Sequence, residues 1–471
     1  MRVSKKMLIG MFFILGMIPV VTLLSGADFL FSSAFLIWSI LFIYSINRLE
    51  NRGMLFAFLI SFFIFLIGRD LLQNFFLYRI EYFDPVVNEH AYFMIIISLV
   101  TIGMSYIFFS RHKLKEVNRS VVLENLHDKR LQNISIVFFY LTIIFAIGSK
   151  LVIAKYVTTN GYSDYYTDYS EYLTGNIILY TMSKIALAMP VAFSVFLATL
   201  PSKERLKKPL ILYFIYLLVS LGTGQRSTTM LGLLFLMVYA LIRQSLERDE
   251  VWFQKKYLLI GVILTPVLAV FLAWYNAWRF DNLSNFEWYT GIFNFFYDQG
   301  VTSNVIKRAY MYQYQINSDV WYILEFLKSG IFARVLGFEI YHGNTVEHAL
   351  YGGSYTHALG YAVLKDMYLA GRGTGTSYLA ELYQDLGYFG IILGSILYSY
   401  MLSHITNFAK KKSVFIFSIQ LIIINQLLWS PRGSFSGFLT DLTSPSTVAM
   451  LFFIFFTYYF LKTVDRQVKK R

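Results

Sequence analysis

"AYFMIIISLVTIGMSYIFFS" (91–110) runs without one charged residue. About 20 apolar residues at ~1.5 Å each are what a helix needs to cross the ~30 Å hydrocarbon core of a bilayer. A soluble amphipathic helix would carry a polar stripe at every third or fourth position, and this stretch has none. The reading that follows is a membrane-spanning helix.

Similar runs recur in both directions. Spans are expected near 7–25, 29–46, 53–68, 91–110, 134–154, 177–199, 209–222, 229–242, 257–277, 382–404, 414–429 and 447–463, about twelve in all by the length criterion. The composition agrees: 56% of the 471 residues are hydrophobic and 15% are charged, and the mean hydropathy is +0.53. The start, "MRVSKKMLIGMFFILGMIPVVTLL" (1–24), has no small-residue cleavage site. It therefore reads as a first retained helix, not a removed signal. There is no cysteine, which excludes disulfides, thiolate metal sites and a cysteine nucleophile.

The net charge of +13 would fit nucleic acid in a soluble protein, but here the charges sit in short clusters between apolar runs. "RVSKK" (2–6), "NRLENR" (47–52), "RHKLKEVNR" (111–119), "SKERLKK" (202–208), "AKKKS" (409–413) and "DRQVKKR" (465–471) alternate with connections poor in Lys and Arg. By the positive-inside rule both termini are cytoplasmic, and nucleic acid is not a partner. Three parts follow: membrane helices over 1–277, one large extracytoplasmic loop over 278–381, and membrane helices over 382–471. Within the loop, "VWYILEFLKSGIFARVLGF" (320–338) is amphipathic and is expected to lie on or dip into the interface. No internal repeat is evident, which weighs against repeat-built transporters.

Two glycine-rich stretches break the oily pattern. "LGTGQRSTTMLG" (221–232) separates two apolar runs that each look too short to cross comfortably. Its Arg226 precedes "STT", a helix start. Free N–H groups, the positive dipole end and an arginine fork together suit a phosphate. A tight turn whose arginine snorkels to headgroups is the plainer reading. "GRGTGTSYLAELYQDLGYFG" (371–390) repeats that logic with Arg372, then places Glu381 and Asp385 four apart on one helical face. A carboxylate there can accept a proton from a sugar hydroxyl or fix an arginine. "GIILG" (390–394) is a small-xxx-small packing face.

Other candidates stand singly. Arg279 in "YNAWRF" (275–280) and Arg432 in "WSPRGSFSG" (429–437) lie at membrane exits, where a pyrophosphate or any lipid headgroup sits. His90, His342, His348 and His357 lie outside, without HExxH or carboxylate-rich spacing, so neither a metal nor another cofactor is expected. His357 is the candidate general base among them. The tyrosines of "NGYSDYYTDYSEY" (160–172) suit either sugar stacking or an interfacial belt.

With "GTGQRSTTM" (222–230) and "GTGTSYLAELYQDLGYFGIILGS" (373–395) after a large outer loop, the chain resembles the Wzy-type repeat-unit polymerases of O-antigen and capsule. The resemblance implies an all-α polytopic membrane protein of the GT-C-like kind in the bacterial cytoplasmic (inner) membrane. It implies glycosyl transfer from an undecaprenyl-pyrophosphate-linked oligosaccharide, without a metal. Membrane lipids surround such a protein, and a flippase and a chain-length regulator are its implied partners. Arg226 matches the family's essential outer arginines by motif, and Arg279 and Arg372 match by location. Glu381, His357 and Arg372 are then the catalytic candidates, with Arg226, Arg279, Arg372 and Arg432 on the pyrophosphate. An O-antigen ligase-like transferase and a lipid-linked oligosaccharide flippase stay open as alternatives.

Overall fold

The computed structural model describes residues 5–24, 26, 28–111, 119–161, 164–247, 249–279, 287–406 and 413–468. It is 83% helix with no strand among the described residues, as a chain must be that satisfies its backbone inside a bilayer without forming a barrel. Ten described helices are long and apolar enough to cross a membrane. The other two expected spans are also helical, Lys203–Leu221 and Lys255–Arg279. The first opens on Lys203, Glu204, Arg205, Lys207 and Lys208, which dilute its hydropathy. The second is apolar over Ile263–Tyr275.

One expectation is corrected. The runs flanking the Gly-Thr-Gly turn are not short, because their polar ends are helical too. Lys203–Leu221 and Ser227–Leu246 have 19 and 20 residues, each about 30 Å at ~1.5 Å per residue.

Burial separates central from peripheral helices. The Leu49–Phe76 stretch is 78% buried in its most apolar window and Met7–Leu24 only 11%. Met54, Leu55, Phe58, Leu59 and Phe62 are fully buried, so this helix is apolar all round because protein surrounds it. Its ladder loosens into a π-helical turn at Phe63–Ile67, a device that often marks functional sites.

Tyr378–Thr406 is not one straight rod. Gly387 breaks it with φ 63° and ψ −153°, a conformation open essentially to glycine alone. In an unbroken helix Tyr378 and Tyr398 would stand ~30 Å apart, yet their rings meet at 5.0 Å. Ser98 on the neighbouring Pro85–Arg111 helix hydrogen-bonds both Tyr378 (2.6 Å) and Ser395 (2.9 Å). A Cβ on Gly390 would fall on the Leu382 carbonyl. The expected small-residue face of 390–394 thus receives the chain's own preceding segment, which bends back carrying Glu381.

The segment between Arg279 and Tyr378 is described from residue 287 and consists of short helices. Val305, Ile316, Tyr322, Tyr355 and Leu359 form a small core there with Ala380. A buried ion pair, Lys307 to Asp70 at 2.7 Å, fastens it to the membrane bundle. The expected amphipathic piece, 320–338, is two short helices, Tyr322–Lys328 and Gly330–Leu336, divided at an extended Ser329. Val335, Leu336 and Phe338 are exposed.

Candidate functional site

The turn after Leu221 is braced from a neighbouring helix. Gly224 has φ +81°, and its N–H donates to the Tyr275 hydroxyl at 3.1 Å. The same hydroxyl donates to the Leu221 carbonyl. Arg226 then occupies the N-cap of Ser227–Leu246, and its Nη1 donates to the Leu272 carbonyl at 3.0 Å. The guanidinium is held at a helix start, where unpaired N–H groups and the dipole already favour an anion.

Arg226 and Ser227 border a cavity whose other walls are mainly apolar, including Phe65, Leu234, Phe295 and Trp429, with Gln299 at its edge. The π-helical turn delivers Phe65 to it. Arg432 stands on the turn Ser430–Arg432, which follows the cavity residue Trp429. Its Nη1 donates to the Gln299 carbonyl at 3.0 Å, and its guanidinium lies 5.6 and 5.8 Å from the Phe65 and Trp429 rings. Arg226 therefore lines the pocket, and Arg432, outside that lining, lies beside three of its wall residues, Gln299, Phe65 and Trp429.

Glu381 governs the same turn from behind. It is fully buried. Thr376 donates to Oε1 at 2.9 Å, while the Ser434 hydroxyl (3.0 Å) and the Phe435 N–H (2.7 Å) donate to Oε2. Those donors sit two and three residues past Arg432. One helical turn on, Asp385 Oδ2 accepts the Ile323 N–H at 2.8 Å, capping the Tyr322–Lys328 turn. That turn also carries Glu325. Burial pushes the Glu325 carboxyl above its ordinary range.

His357 and Arg372 belong to a second cluster. The His357 ring stacks on His348 with centroids 3.6 Å apart. Its Nδ1 meets the Tyr368 hydroxyl at 2.9 Å, and that hydroxyl donates to the Thr345 carbonyl. Asn344 ties the carbonyls of Tyr368 (2.7 Å) and Arg372 (3.0 Å) together. Burial, helped by the adjacent His348, lowers the His357 pKa to about 4, so the ring is neutral near pH 7. The Arg372 side chain is exposed. Thr376 and Ser377, at the start of the Tyr378–Thr406 helix, are buried, and Thr376 serves Glu381. The Arg279 side chain lies outside the described residues.

A family model for the O-antigen polysaccharide polymerase Wzy matches residues 6–464. The chain belongs to the Wzy family. No curated protein and no solved structure matches it. Wzy proteins act on lipid-linked oligosaccharide repeat units in membranes, and the activity is of glycosyltransferase type. In this Wzy chain the polar groups that sequence reasoning missed are Glu325, Ser434 and Gln299. A lone acid in the otherwise apolar "YILEFL" (322–327) was the available signal for Glu325. Ser434 and Gln299 carry no such signal, since their importance comes from contacts distant in sequence.

Proposed function

We propose that the protein polymerises undecaprenyl-pyrophosphate-linked oligosaccharide repeat units into O-antigen or capsular polysaccharide at the outer face of the bacterial inner membrane. Both termini are cytoplasmic in this reading, and the segment 278–381 is extracytoplasmic. The observation that carries it is a cavity with apolar walls that Arg226 lines, with Arg432 bonded to its wall residue Gln299. A prenyl pyrophosphate has that division of character, with a polar head on an apolar chain.

The acceptor hydroxyl oxygen bonds to C1 of the donor sugar. The bond from C1 to the phosphate oxygen breaks, and undecaprenyl pyrophosphate leaves with the electron pair. Arg226 and Arg432 neutralise the charge that grows on the leaving group, with Arg279 and Arg372 as outer contributors. Glu381 holds the Arg432 turn in place. The acceptor's proton goes to His357, whose neutral ring gives up its Nδ1 hydrogen to Tyr368 and keeps a lone pair on Nε2.

The test is the purified protein in proteoliposomes with an undecaprenyl-pyrophosphate-linked repeat unit, its products resolved on a gel. A ladder of increasing length is expected. Transfer of single units to a non-lipid-linked acceptor without chain growth would mean a ligase. Lipid translocation without any new glycosidic bond would mean a flippase.

A further inference from the structure

The helix Gly291–Gln299 ends at the cavity. Phe295 and Gln299 stand in its wall, and the helix stops at Gly300. The last carbonyls of a helix have no partner within it. Two of them are taken here by arginines from elsewhere in the chain. The Tyr297 carbonyl accepts from Arg69 Nη1 at 3.0 Å, and the Gln299 carbonyl accepts from Arg432 Nη1 at 3.0 Å. The negative end of the helix dipole favours both.

Arg69 is itself fixed. It is 4% exposed. Its Nη2 donates to Glu81 Oε1, which also accepts the Tyr297 hydroxyl at 2.8 Å. Its guanidinium lies 3.8 Å from the centre of the Tyr297 ring. Gly300 presses against it: an added Cβ would stand 2.4 Å from Arg69 Cβ and 2.9 Å from its backbone N. The next residue, Asp70, accepts from the Ser303 hydroxyl and from Lys307 Nζ at 2.7 Å. Both donors belong to Val301–Tyr312, the helix that follows Gly300. Two consecutive residues therefore hold the helices on either side of one turn. They stand just after the π-helical turn Phe63–Ile67, which carries Phe65 into the same wall.

We infer that Arg69 is a positioning residue for the leaving-group site: its fork spans Glu81 and the Tyr297 carbonyl, and so sets the Gln299 carbonyl, two residues on, where Arg432 binds it. Arg69 itself touches no substrate. A buried guanidinium whose Nε meets no acceptor among the described residues is costly to keep, and what it secures is the place of the helix end. Lysine cannot do the same, since one ammonium on a flexible stem lacks the planar fork that reaches both partners.

This role rests on the reading of Arg432 as a pyrophosphate ligand, so Arg432→Ala is measured alongside. KM and kcat for the lipid-linked repeat unit are followed in proteoliposomes for Arg69→Ala, Arg69→Lys, Arg432→Ala and the Arg69→Ala/Arg432→Ala double variant. Arg69→Ala should raise KM about ten-fold, and Arg69→Lys by less. A merely structural role would lower apparent kcat through loss of folded protein and leave KM alone. In the Arg432→Ala background, Arg69→Ala should add less than about two-fold, because it acts through the same contact. A wild-type KM for Arg69→Ala, or single effects that multiply in the double variant, would overturn the assignment. Should Arg69→Ala not fold, Arg69→Lys alone and combined with Arg432→Ala carries the same comparison. If Arg432→Ala keeps the wild-type KM, the pyrophosphate reading fails. The hold on the helix end is then decided by hydrogen exchange over 291–303, which Arg69→Ala should speed about ten-fold; unchanged exchange would sink it.

Discussion

The Arg226 pocket, with the Arg432 turn beside it, and the His357–Arg372 cluster are held in different ways. In the first, each arginine stands at the end of a helix or turn and donates to a main-chain carbonyl, Leu272 or Gln299. A buried carboxylate fixes the turn behind Arg432. In the second, side chains of short loop segments hold one another, through the stacked His348 and His357 and the single amide of Asn344. Charge placed on rigid elements among apolar walls acts at low dielectric and needs no rearrangement when substrate charge develops. Charge on an exposed loop is screened by water and salt. The two clusters should therefore answer very differently to the same kind of substitution.

The largest effect is expected at the pocket. Arg226→Ala should lower polymerisation by roughly 100- to 1000-fold, the usual loss when a preorganised donor to a developing negative charge is removed. Arg226→Lys should fail nearly as badly, because an ammonium is a point charge without the planar fork. The measurement is the length distribution of surface polysaccharide at matched protein level. Long chains from the lysine variant would reduce Arg226 to a generic positive charge and remove the contrast between the clusters.

The fold class was legible because a membrane span is a local property: an apolar run such as 91–110, with the basic cluster that follows it, carries the whole message. The bend at Gly387 was not, since "DLGYFG" (385–390) reads as a continued helix until Ser98 and Tyr398 supply the packing that folds it back. The site was legible in part for the same reason. Arg226 announced itself by a glycine-rich turn before a helix. Glu381 and Asp385 were correctly placed on one face, and that face carries the Tyr322–Lys328 turn. Which arginine Glu381 serves was not readable. The answer, Arg432, depends on the Ser434 and Phe435 contacts, more than fifty residues away in sequence.

A smaller, pH-dependent effect is expected at the second cluster. His357 has its pKa lowered to about 4, against ~6.5 for an unperturbed histidine. The folded cluster therefore binds fewer protons than the unfolded chain, and its stability falls as pH drops from about 6.5 toward 4. With the ring only half-buried, the loss should be on the order of 1–2 kcal/mol, less than the full shift would give. Hydrogen exchange over 343–372 should rise about ten-fold across that window, while the helices around Arg226 stay protected. His357→Gln should remove the pH dependence. Equal loosening around Arg226 would mean that the clusters open as one unit.

The smallest effect is expected from Arg372. Its side chain is exposed, and the bond that ties its residue into the cluster uses the main-chain carbonyl, so Arg372→Ala leaves that bond in place. What is lost is a positive charge in water near the path of an anionic substrate. Such a charge contributes through attraction at a distance, worth well under ten-fold in affinity and fading as ionic strength shortens the screening length to ~8 Å. Arg372→Ala should therefore raise KM by about two- to five-fold at low salt and by less at physiological salt, with kcat kept and with Arg372→Lys close to wild type. KM measured at two salt concentrations for the three proteins decides the matter. A loss as large as that of Arg226→Ala, insensitive to salt and not rescued by lysine, would place Arg372 on the reacting pyrophosphate. Arg372 would then act on the leaving group itself, alongside Arg226 and Arg432, and not only through long-range attraction.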